Sequence, residues 1–185
     1  CVSKYPCPPE ELNLKTIEFY KEKFNIPIGF SDHSIGVESA VVAVAIGATF
    51  IEKHFSLSRD LWGADHKVSL TPEEAKEMVK RIREIENDEN LQRKILSSDF
   101  AKKCMGIKGK ILQEGEEKFR PLFRKSLMAG CDIKAGEILT SEKIYAMRPQ
   151  AYAGGLPSEK YSEVLGKKAK KDIKKYDPII WDVLD

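Results

Sequence analysis

Apolar residues in the first half of the chain follow two alternating patterns. Short apolar or β-branched runs predict strands at residues 1–6, 26–31 and 48–55. Apolar residues at helical spacing follow each run, at residues 14–24, at 37–46 and from Thr71 onward. Strands joined by helical crossovers are parallel. The pattern therefore predicts an α/β fold with three strand–helix units, which fits the last units of an eight-fold barrel or part of an open doubly wound sheet.

Local signals predict where these helices begin and end. Asn13 is suited to cap the helix at residues 14–24, and Gly47 is suited to end the helix at residues 37–46. Thr71, Pro72 and Glu74 form the pattern of a capping box with proline at the first helical position. Between residues 57 and 70 the chain is polar, which predicts a loop, and Trp62 is expected to be exposed there.

The second half of the chain has a different pattern. Residues 91–120 are polar and charged, which predicts a linker with short helical pieces. From residue 121 to 185, short β-prone runs are separated by glycine and polar turns, and the pattern DIKAGEILT is followed by a similar one, KKDIKKYDPIIWDVLD. We therefore predict an α/β domain at residues 1–90, a linker at 91–120 and a small, mostly β domain at 121–185.

Composition narrows the class of protein. The chain is 42% hydrophobic and 32% charged with a net charge of +2, which is typical of a globular protein and does not favour nucleic acid as a partner. The longest apolar stretch, residues 40–51, is too short to span a membrane, and no secretory signal precedes it. The four cysteines show no pairing or metal spacing, which predicts a cytoplasmic protein. Because Cys1 falls inside a predicted strand, we expect the chain to be the carboxyl part of a longer protein.

Two histidines follow two of the predicted strands. His33 comes after the strand at residues 26–31, and His54 lies at the end of the strand at 48–55. Carboxyl ends of parallel strands carry the chemistry in α/β barrels and open sheets. The two imidazoles, with Asp32 and Glu52 beside them, predict a divalent-metal site. The alternative is a structural histidine that is hydrogen-bonded to a backbone carbonyl.

Several motifs resemble a known enzyme family. GFSDHSIG, AIGATFIEKHF and GADHKVSLTPEE are similar to the end of the catalytic barrel of the N-acetylneuraminate (sialic acid) synthase family, which includes legionaminic and pseudaminic acid synthases. RKSLMAGCDIKAGEILTSEKIYAMRP, GGLP and VLGKKAKKDIKKYDPI are similar to the antifreeze-like (SAF) domain that follows this barrel. The resemblance implies an α/β fold, namely the C-terminal part of a (β/α)8 TIM barrel, followed by a small mostly-β antifreeze-like β-clip domain.

The resemblance also implies a reaction. Members of this family are transferases that form a C–C bond between phosphoenolpyruvate and an N-acyl aminosugar such as N-acetylmannosamine. They release phosphate and give a nine-carbon 2-keto sugar acid. By resemblance, His33 and His54 hold a divalent metal, Mn²⁺ or alternatively Mg²⁺ or Co²⁺, and Glu52 assists beside them as a catalytic residue.

Substrate-binding residues can be carried over in the same way. Ser31 and Ser3 are implied to bind the phosphate, although related enzymes often have asparagine at the position of Ser3. Tyr5 and Asp65 match positions that face the acceptor sugar. Arg148 matches an arginine that enters the active site of the other subunit in a domain-swapped homodimer. Without the resemblance, Tyr5 reads as a half-buried strand residue and Arg148 as an ordinary surface arginine.

Other interpretations stay open at this point. His66 is expected to be a solvated loop residue, and Lys53 is expected to point away from His54, with a barrel-exterior or buried-aliphatic role. The chain could instead be a non-catalytic carbohydrate-binding or dimerisation module, or part of another metal-dependent aldolase. Three strand–helix units cannot close a barrel, so these residues alone are expected to be inactive. The sequence does not decide which acceptor sugar is used.

Overall fold

The chain divides into two compact units. A computed structural model describes residues 1–185, and the units comprise Cys1–Glu116 and Glu117–Asp185. The first unit is built mainly of helices around a short parallel strand pair, and the second is small with short strands and turns. The predicted mixed α/β character is therefore confirmed.

The first unit contains the predicted alternation of helices and strands. Its helices are α1 (Thr16–Phe24), α2 (Glu38–Ala45), α3 (Pro72–Glu86), α4 (Glu89–Ser97), α5 (Asp99–Met105) and the start of α6 (Glu114–Phe123). Its strands are β1 (Gly29–Asp32) and β2 (Phe50–Lys53). They pair in parallel, from Gly29 opposite Phe50 to Asp32 opposite Lys53. Helix α2 is thus the crossover between two parallel strands, as the sequence predicts.

The predicted strand at residues 1–6 is wrong. This segment pairs with no strand, and the N–H of Lys4 donates to the carbonyl of Val2 at 2.9 Å in a tight local turn. A strand needs a neighbouring strand to receive its backbone hydrogen bonds, and β1 is paired only with β2. The segment is nevertheless anchored, because Val2 and Cys7 are both buried.

The helix boundaries are confirmed in two cases and corrected in one. Thr71 and Glu74 form the predicted capping box, and Gly47 follows the end of α2 with a φ of 100°. Asn13, however, does not cap α1, whose first residue is Thr16. Its side chain instead accepts a hydrogen bond from the N–H of Ile107 at 2.6 Å and donates to the carbonyl of Gly109 at 2.9 Å. Asn13 therefore joins the start of the chain to a segment more than 90 residues later.

Part of the predicted linker belongs to the first unit. Ala101 and Cys104 in α5 are fully buried in the same core as α1 and β1. The carbonyl of Cys104 also accepts a hydrogen bond from the N–H of Leu14 at 2.9 Å. Charged residues cover the outer faces of α4 and α5, which is why their composition resembled a linker. Burial of one narrow apolar face is enough to fix such helices.

The two similar sequence patterns of the second unit pair with each other in the structure. Strands β3 (Ser126–Ala129) and β4 (Ile144–Met147) are antiparallel, and short helices α7 (Gln150–Ala153) and α8 (Tyr161–Val164) follow. Ile133 and Ile173, at matching places in the two similar patterns, exchange both backbone hydrogen bonds at 2.8 Å. Both lie in a core of aliphatic residues: Leu127, Ala129, Leu139, Ile144, Val164, Ala169, Ile179, Val183 and Leu184.

The helices of this chain are short or amphipathic. None of them combines the length and the apolar character that crossing a membrane would require.

Candidate active site

The two histidines lie side by side at the carboxyl ends of the paired strands. His33 directly follows β1, His54 directly follows β2, and their ring centroids are 5.3 Å apart. The backbone of each is held in place, since the carbonyl of His33 accepts from Cys7 at 3.0 Å and that of His54 accepts from Leu70 at 2.8 Å. Parallel pairing in register therefore brings the two predicted site residues together.

The proton position on His33 can be inferred from its partner. The Nδ1 atom lies 2.8 Å from the carbonyl oxygen of Val2, and a carbonyl oxygen can only accept a hydrogen bond. Nδ1 therefore carries a proton, and in the neutral form of the ring Nε2 keeps a free lone pair. Histidines that ligate metals usually show this arrangement. The partner of the ring is a backbone carbonyl, which is also the contact that the structural alternative for this histidine predicts.

Tyr5 completes the cluster of rings. Its ring centroid is 4.1 Å from that of His33 and 5.7 Å from that of His54. The side chain is partly open to solvent, and its pKa is raised by burial and by the negative charges of Asp65 and Glu52. The hydroxyl therefore stays protonated at neutral pH and can donate a hydrogen bond to a ligand.

Asp65 approaches the same place from the loop between β2 and α3. Its carboxylate oxygen is 3.9 Å from Nδ1 of His54, and the side chain is 72% exposed. The loop is braced by hydrogen bonds: Ser69 donates to the carbonyl of Asp65 at 2.8 Å, and the buried Ser56 lies 2.7 Å from Nδ1 of His66. His66 is therefore a partly buried bracing residue and not the solvated residue predicted. Trp62 is almost fully exposed, as predicted.

Ser31 and Glu52 face each other across the strands. They are opposite in register, and the Ser31 hydroxyl donates to the Glu52 carboxylate at 2.8 Å. Glu52 is exposed and makes no hydrogen bond to either histidine. Both side chains are thus close to the strand ends, where a hydroxyl and a carboxylate are available to a ligand.

The two remaining predicted residues lie in different units, Ser3 in the first and Arg148 in the second. The backbone N–H of Ser3 donates to Glu116 at 2.9 Å, and its hydroxyl makes no hydrogen bond within the chain. Arg148 lies directly after β4 in the second unit, is exposed, and has no ion-pair or hydrogen-bond partner within the chain.

The sequence did not predict a buried ion pair next to the histidines. Lys53 Nζ lies 2.7 Å from the Asp32 carboxylate, and the two side chains are 2% and 0% exposed. Lys53 is buried, but its ammonium is paired, which goes beyond the aliphatic role expected. The register of the two strands explains this contact, because parallel pairing of GFSD with FIEK sets Asp32 opposite Lys53.

The donor set is compatible with a metal ion that also takes ligands from outside the chain. No group of three or more His, Cys, Asp or Glu side chains is placed to hold a metal. Two imidazole side chains suit divalent transition metals when oxygen ligands from water or substrate complete the coordination. His33 and His54 therefore fit the partial ligand set that the resemblance implies.

Comparisons with known proteins agree with this two-part organisation. The NeuB family model matches residues 1–94, and the SAF domain model matches residues 124–185. These matches define the class of protein as one that combines a NeuB-type α/β unit with an SAF domain. The chain belongs to the NeuB family, as the motifs had predicted.

Its relatives include known synthases. An N,N'-diacetyllegionaminic acid synthase of Campylobacter jejuni is 38% identical over 174 residues, which cover 94% of this chain and 46% of that protein. The N-acetylneuraminate-9-phosphate synthase of Homo sapiens is 32% identical over 188 residues, covering 100% of this chain and 47% of that protein. The chain spans about half the length of the curated relatives it matches.

A solved structure also matches along the whole chain. The spore coat polysaccharide biosynthesis protein SpsE of Bacillus subtilis is 34% identical and superimposes with a TM-score of 0.76, covering 100% of this chain and 52% of that one. The helices and strands described above are therefore shared with the solved structure of a related protein.

Proposed function

We propose that the chain forms part of the active site of a synthase that joins phosphoenolpyruvate to an N-acyl aminosugar with release of phosphate. One observation carries the proposal: His33 and His54 lie 5.3 Å apart, ring to ring, at the ends of two paired parallel strands in a chain of the NeuB family. We further propose that the first unit is the C-terminal part of a (β/α)8 barrel and that the second is a β-clip domain. Parallel strands joined by α2 support the barrel assignment.

His33 and His54 are proposed to hold the divalent metal, with manganese as the first candidate. When bound, such an ion supplies a Lewis acid that stabilises negative charge on an aldehyde oxygen. The chain's own contribution is orientation. The carbonyl of Val2 fixes the His33 ring and its tautomer, and Tyr5 packs against both rings, so the ligand atoms are held before substrate arrives.

The remaining polar groups are proposed to bind the two substrates. The Ser3 hydroxyl would donate to the phosphate of phosphoenolpyruvate. The Ser31 hydroxyl would do the same after turning away from Glu52, to which it donates at 2.8 Å in the structure. The Tyr5 hydroxyl and the Asp65 carboxylate would bind the acceptor sugar. Sugars are recognised by such paired donors and acceptors, and both side chains are open to solvent.

Arg148 is proposed to act in a homodimer. It is exposed and unpaired, so its five N–H donors are available to a carbonyl oxygen such as that of an N-acyl group. We propose that it contacts the sugar in the site of a second copy of the protein. A second candidate function, a non-catalytic carbohydrate-binding or dimerisation module, would use the same arginine.

The test is phosphate release by the native protein from its source, whatever its length. The protein is incubated with phosphoenolpyruvate, Mn²⁺ and, in turn, N-acetylmannosamine, a 2,4-diacetamido mannose-type sugar and a 2,4-diacetamido altrose-type sugar. We expect sugar-dependent phosphate release with one of the three. His54→Gln should lower kcat/KM by at least about a hundredfold, because a charge-stabilising group would be lost from the transition state.

A matched control uses the third histidine. His66→Gln changes a partly buried histidine on the neighbouring loop and should keep far more activity than His54→Gln. Absence of phosphoenolpyruvate consumption with all three sugars would instead support another aldolase. Sugar binding that survives His33→Gln and His54→Gln but is lost in Arg148→Ala would support the binding module.

A further inference from the structure

A buried polar cluster joins the carboxyl ends of β1 and β2. The carboxylate of Asp32 accepts hydrogen bonds from Lys53 Nζ at 2.7 Å, from the Ser39 hydroxyl at 2.7 Å and from the N–H of Ser34 at 2.8 Å. Lys53 Nζ also donates to the carbonyl of Ser34 at 2.7 Å. The Asp32 carboxylate is therefore satisfied within the chain, with both oxygen atoms engaged.

The cluster surrounds the candidate ligand positions in the sequence. Asp32 directly precedes His33, Ser34 directly follows it, and Lys53 directly precedes His54. The ammonium of Lys53 thus bonds to the backbone or side chain of both neighbours of His33. These contacts fix the backbone that carries one histidine relative to the backbone that carries the other.

Stability alone does not account for placing a charged pair here. Moving a carboxylate and an ammonium out of water is costly, and an apolar pair of similar volume is often equally stable or more stable. The ion pair does fix local geometry, because its hydrogen bonds set distances between the two strands, which apolar contacts do not. The two charges also cancel, so that Lys53 adds no net positive charge beside a proposed cation site.

We propose that Asp32 and Lys53 are positioning residues that set the separation of the His33 and His54 rings for metal binding. The proposal rests on the proposed function, because it assumes that the two histidines hold a divalent ion. It assigns to the ion pair a role that touches neither substrate nor metal and acts through the two strands.

The experiment measures Mn²⁺ binding by the native protein without substrate, from the electron paramagnetic resonance signal of free Mn²⁺. The double variant Asp32→Asn/Lys53→Met removes both charges at similar volume. We expect its thermal midpoint to stay near that of the wild type. Its Mn²⁺ affinity should fall about 10- to 100-fold, as is usual when groups that orient metal ligands are changed. A residue that only stabilises the fold would not separate these two readouts.

A second variant covers the case in which the double variant does not fold. Ser39→Ala removes one hydrogen bond to Asp32 and neither charge, and we expect a smaller loss of Mn²⁺ affinity in the same direction. The matched control is Glu38→Gln/Arg81→Met, which removes an ion pair of 2.9 Å that is partly exposed and joins α2 to α3. This control should bind Mn²⁺ as the wild type does.

The outcomes separate this proposal from the one it rests on. Wild-type Mn²⁺ affinity in every folded Asp32, Lys53 and Ser39 variant would overturn the positioning role and leave the proposed function intact. If the wild type itself binds no Mn²⁺, or binds it unchanged in His33→Gln and His54→Gln, the metal site and the positioning role are both overturned.

Discussion

The first unit buries one of its two aspartate–lysine pairs and exposes the other, Asp99 with Lys102, whereas the second unit exposes both of its pairs. In the first unit a single pair, Asp32 with Lys53, is buried, with side-chain exposures of 0% and 2%. In the second unit two pairs are exposed, Lys134 with Asp172 at 2.7 Å and Lys174 with Asp132 at 3.2 Å. The same two residue types therefore experience very different dielectric surroundings. Burial makes the first pair costly to break, whereas solvent screens the other two.

The exposed pairs repeat with the internal repeat of the second unit. Asp172 accepts from the N–H of Ala135 at 3.0 Å, and Asp132 accepts from the N–H of Lys175 at 2.9 Å. Each pattern thus uses its aspartate to hold the turn of the other. These ion pairs accompany a core of aliphatic residues that already fixes the two patterns. The buried pair lies instead beside candidate site residues, where geometry matters more than net stability.

The largest expected effect comes from breaking the buried pair on one side only. Asp32→Asn leaves the Lys53 ammonium buried without a counter-charge, which should lower the free energy of unfolding of the first unit by roughly 3–5 kcal/mol. Guanidinium unfolding followed by far-UV circular dichroism measures this, because most helical residues lie in the first unit.

The matched change in the second unit is Asp132→Asn. It should shift the unfolding midpoint of that unit far less, since both partners are exposed. Trp181, the only tryptophan of the second unit, reports this transition by fluorescence in a Trp62→Phe background. Equal destabilisation by Asp32→Asn and Asp132→Asn would remove the contrast between the units.

A smaller effect is expected where the second unit depends on close backbone packing. A Cβ atom added at Gly155 would overlap the carbonyl oxygen of Leu127. That oxygen cannot move away easily, because it accepts from Ile179 at 3.0 Å while the N–H of Leu127 donates to Leu156 at 2.8 Å. Gly155→Ala should therefore cost about 1–3 kcal/mol, measured by Trp181 fluorescence during unfolding.

The control for this change lies in the first unit. A Cβ atom at Gly109 meets nothing within 4 Å, so Gly109→Ala should leave both transitions near their wild-type positions. A neutral Gly155→Ala would show that the second unit tolerates backbone shifts, and that its aliphatic core and not its strand contacts sets its stability.

Local signals in the sequence were sufficient for much of the fold. The capping box at Thr71 and the helix end at Gly47 each depend on residues within a few positions. The apolar runs before His33 and His54 predicted two strands, and parallel pairing then placed the histidines together. The repeat of the DIK pattern likewise indicated the two matching halves of the second unit.

Long-range partners were not predictable in this way. The sequence predicts Asn13 as a helix cap, but besides Thr16 its side chain bonds to partners 94 and 96 residues away. Lys53 and Asp32 are 21 residues apart, and only the register between strands shows that they meet. The supposed strand at residues 1–6 failed for the related reason that strand formation depends on a neighbour and not on the run itself. The periodicity of a sequence describes a single helix or strand, whereas the pairing of strands depends on two elements at once.

The smallest expected effect concerns pH and another long-range contact. Burial alone would raise the pKa of Glu116, but hydrogen bonds from the N–H groups of Ser3 and Gln113, with Lys110 nearby, lower it below its ordinary value of 4.5. A carboxylate with a lowered pKa stabilises the folded state above its unfolded pKa, and this contribution is lost as the pH falls through its folded pKa. Stability of the first unit should therefore decline below pH 4.5 in the wild type.

Glu116→Gln should be less stable than the wild type above that pH and should show a weaker decline below it, so that the two curves converge in acid. Unfolding by guanidinium at a series of pH values measures both curves, and parallel curves would mean that Glu116 does not couple the start of the chain to the stability of its unit.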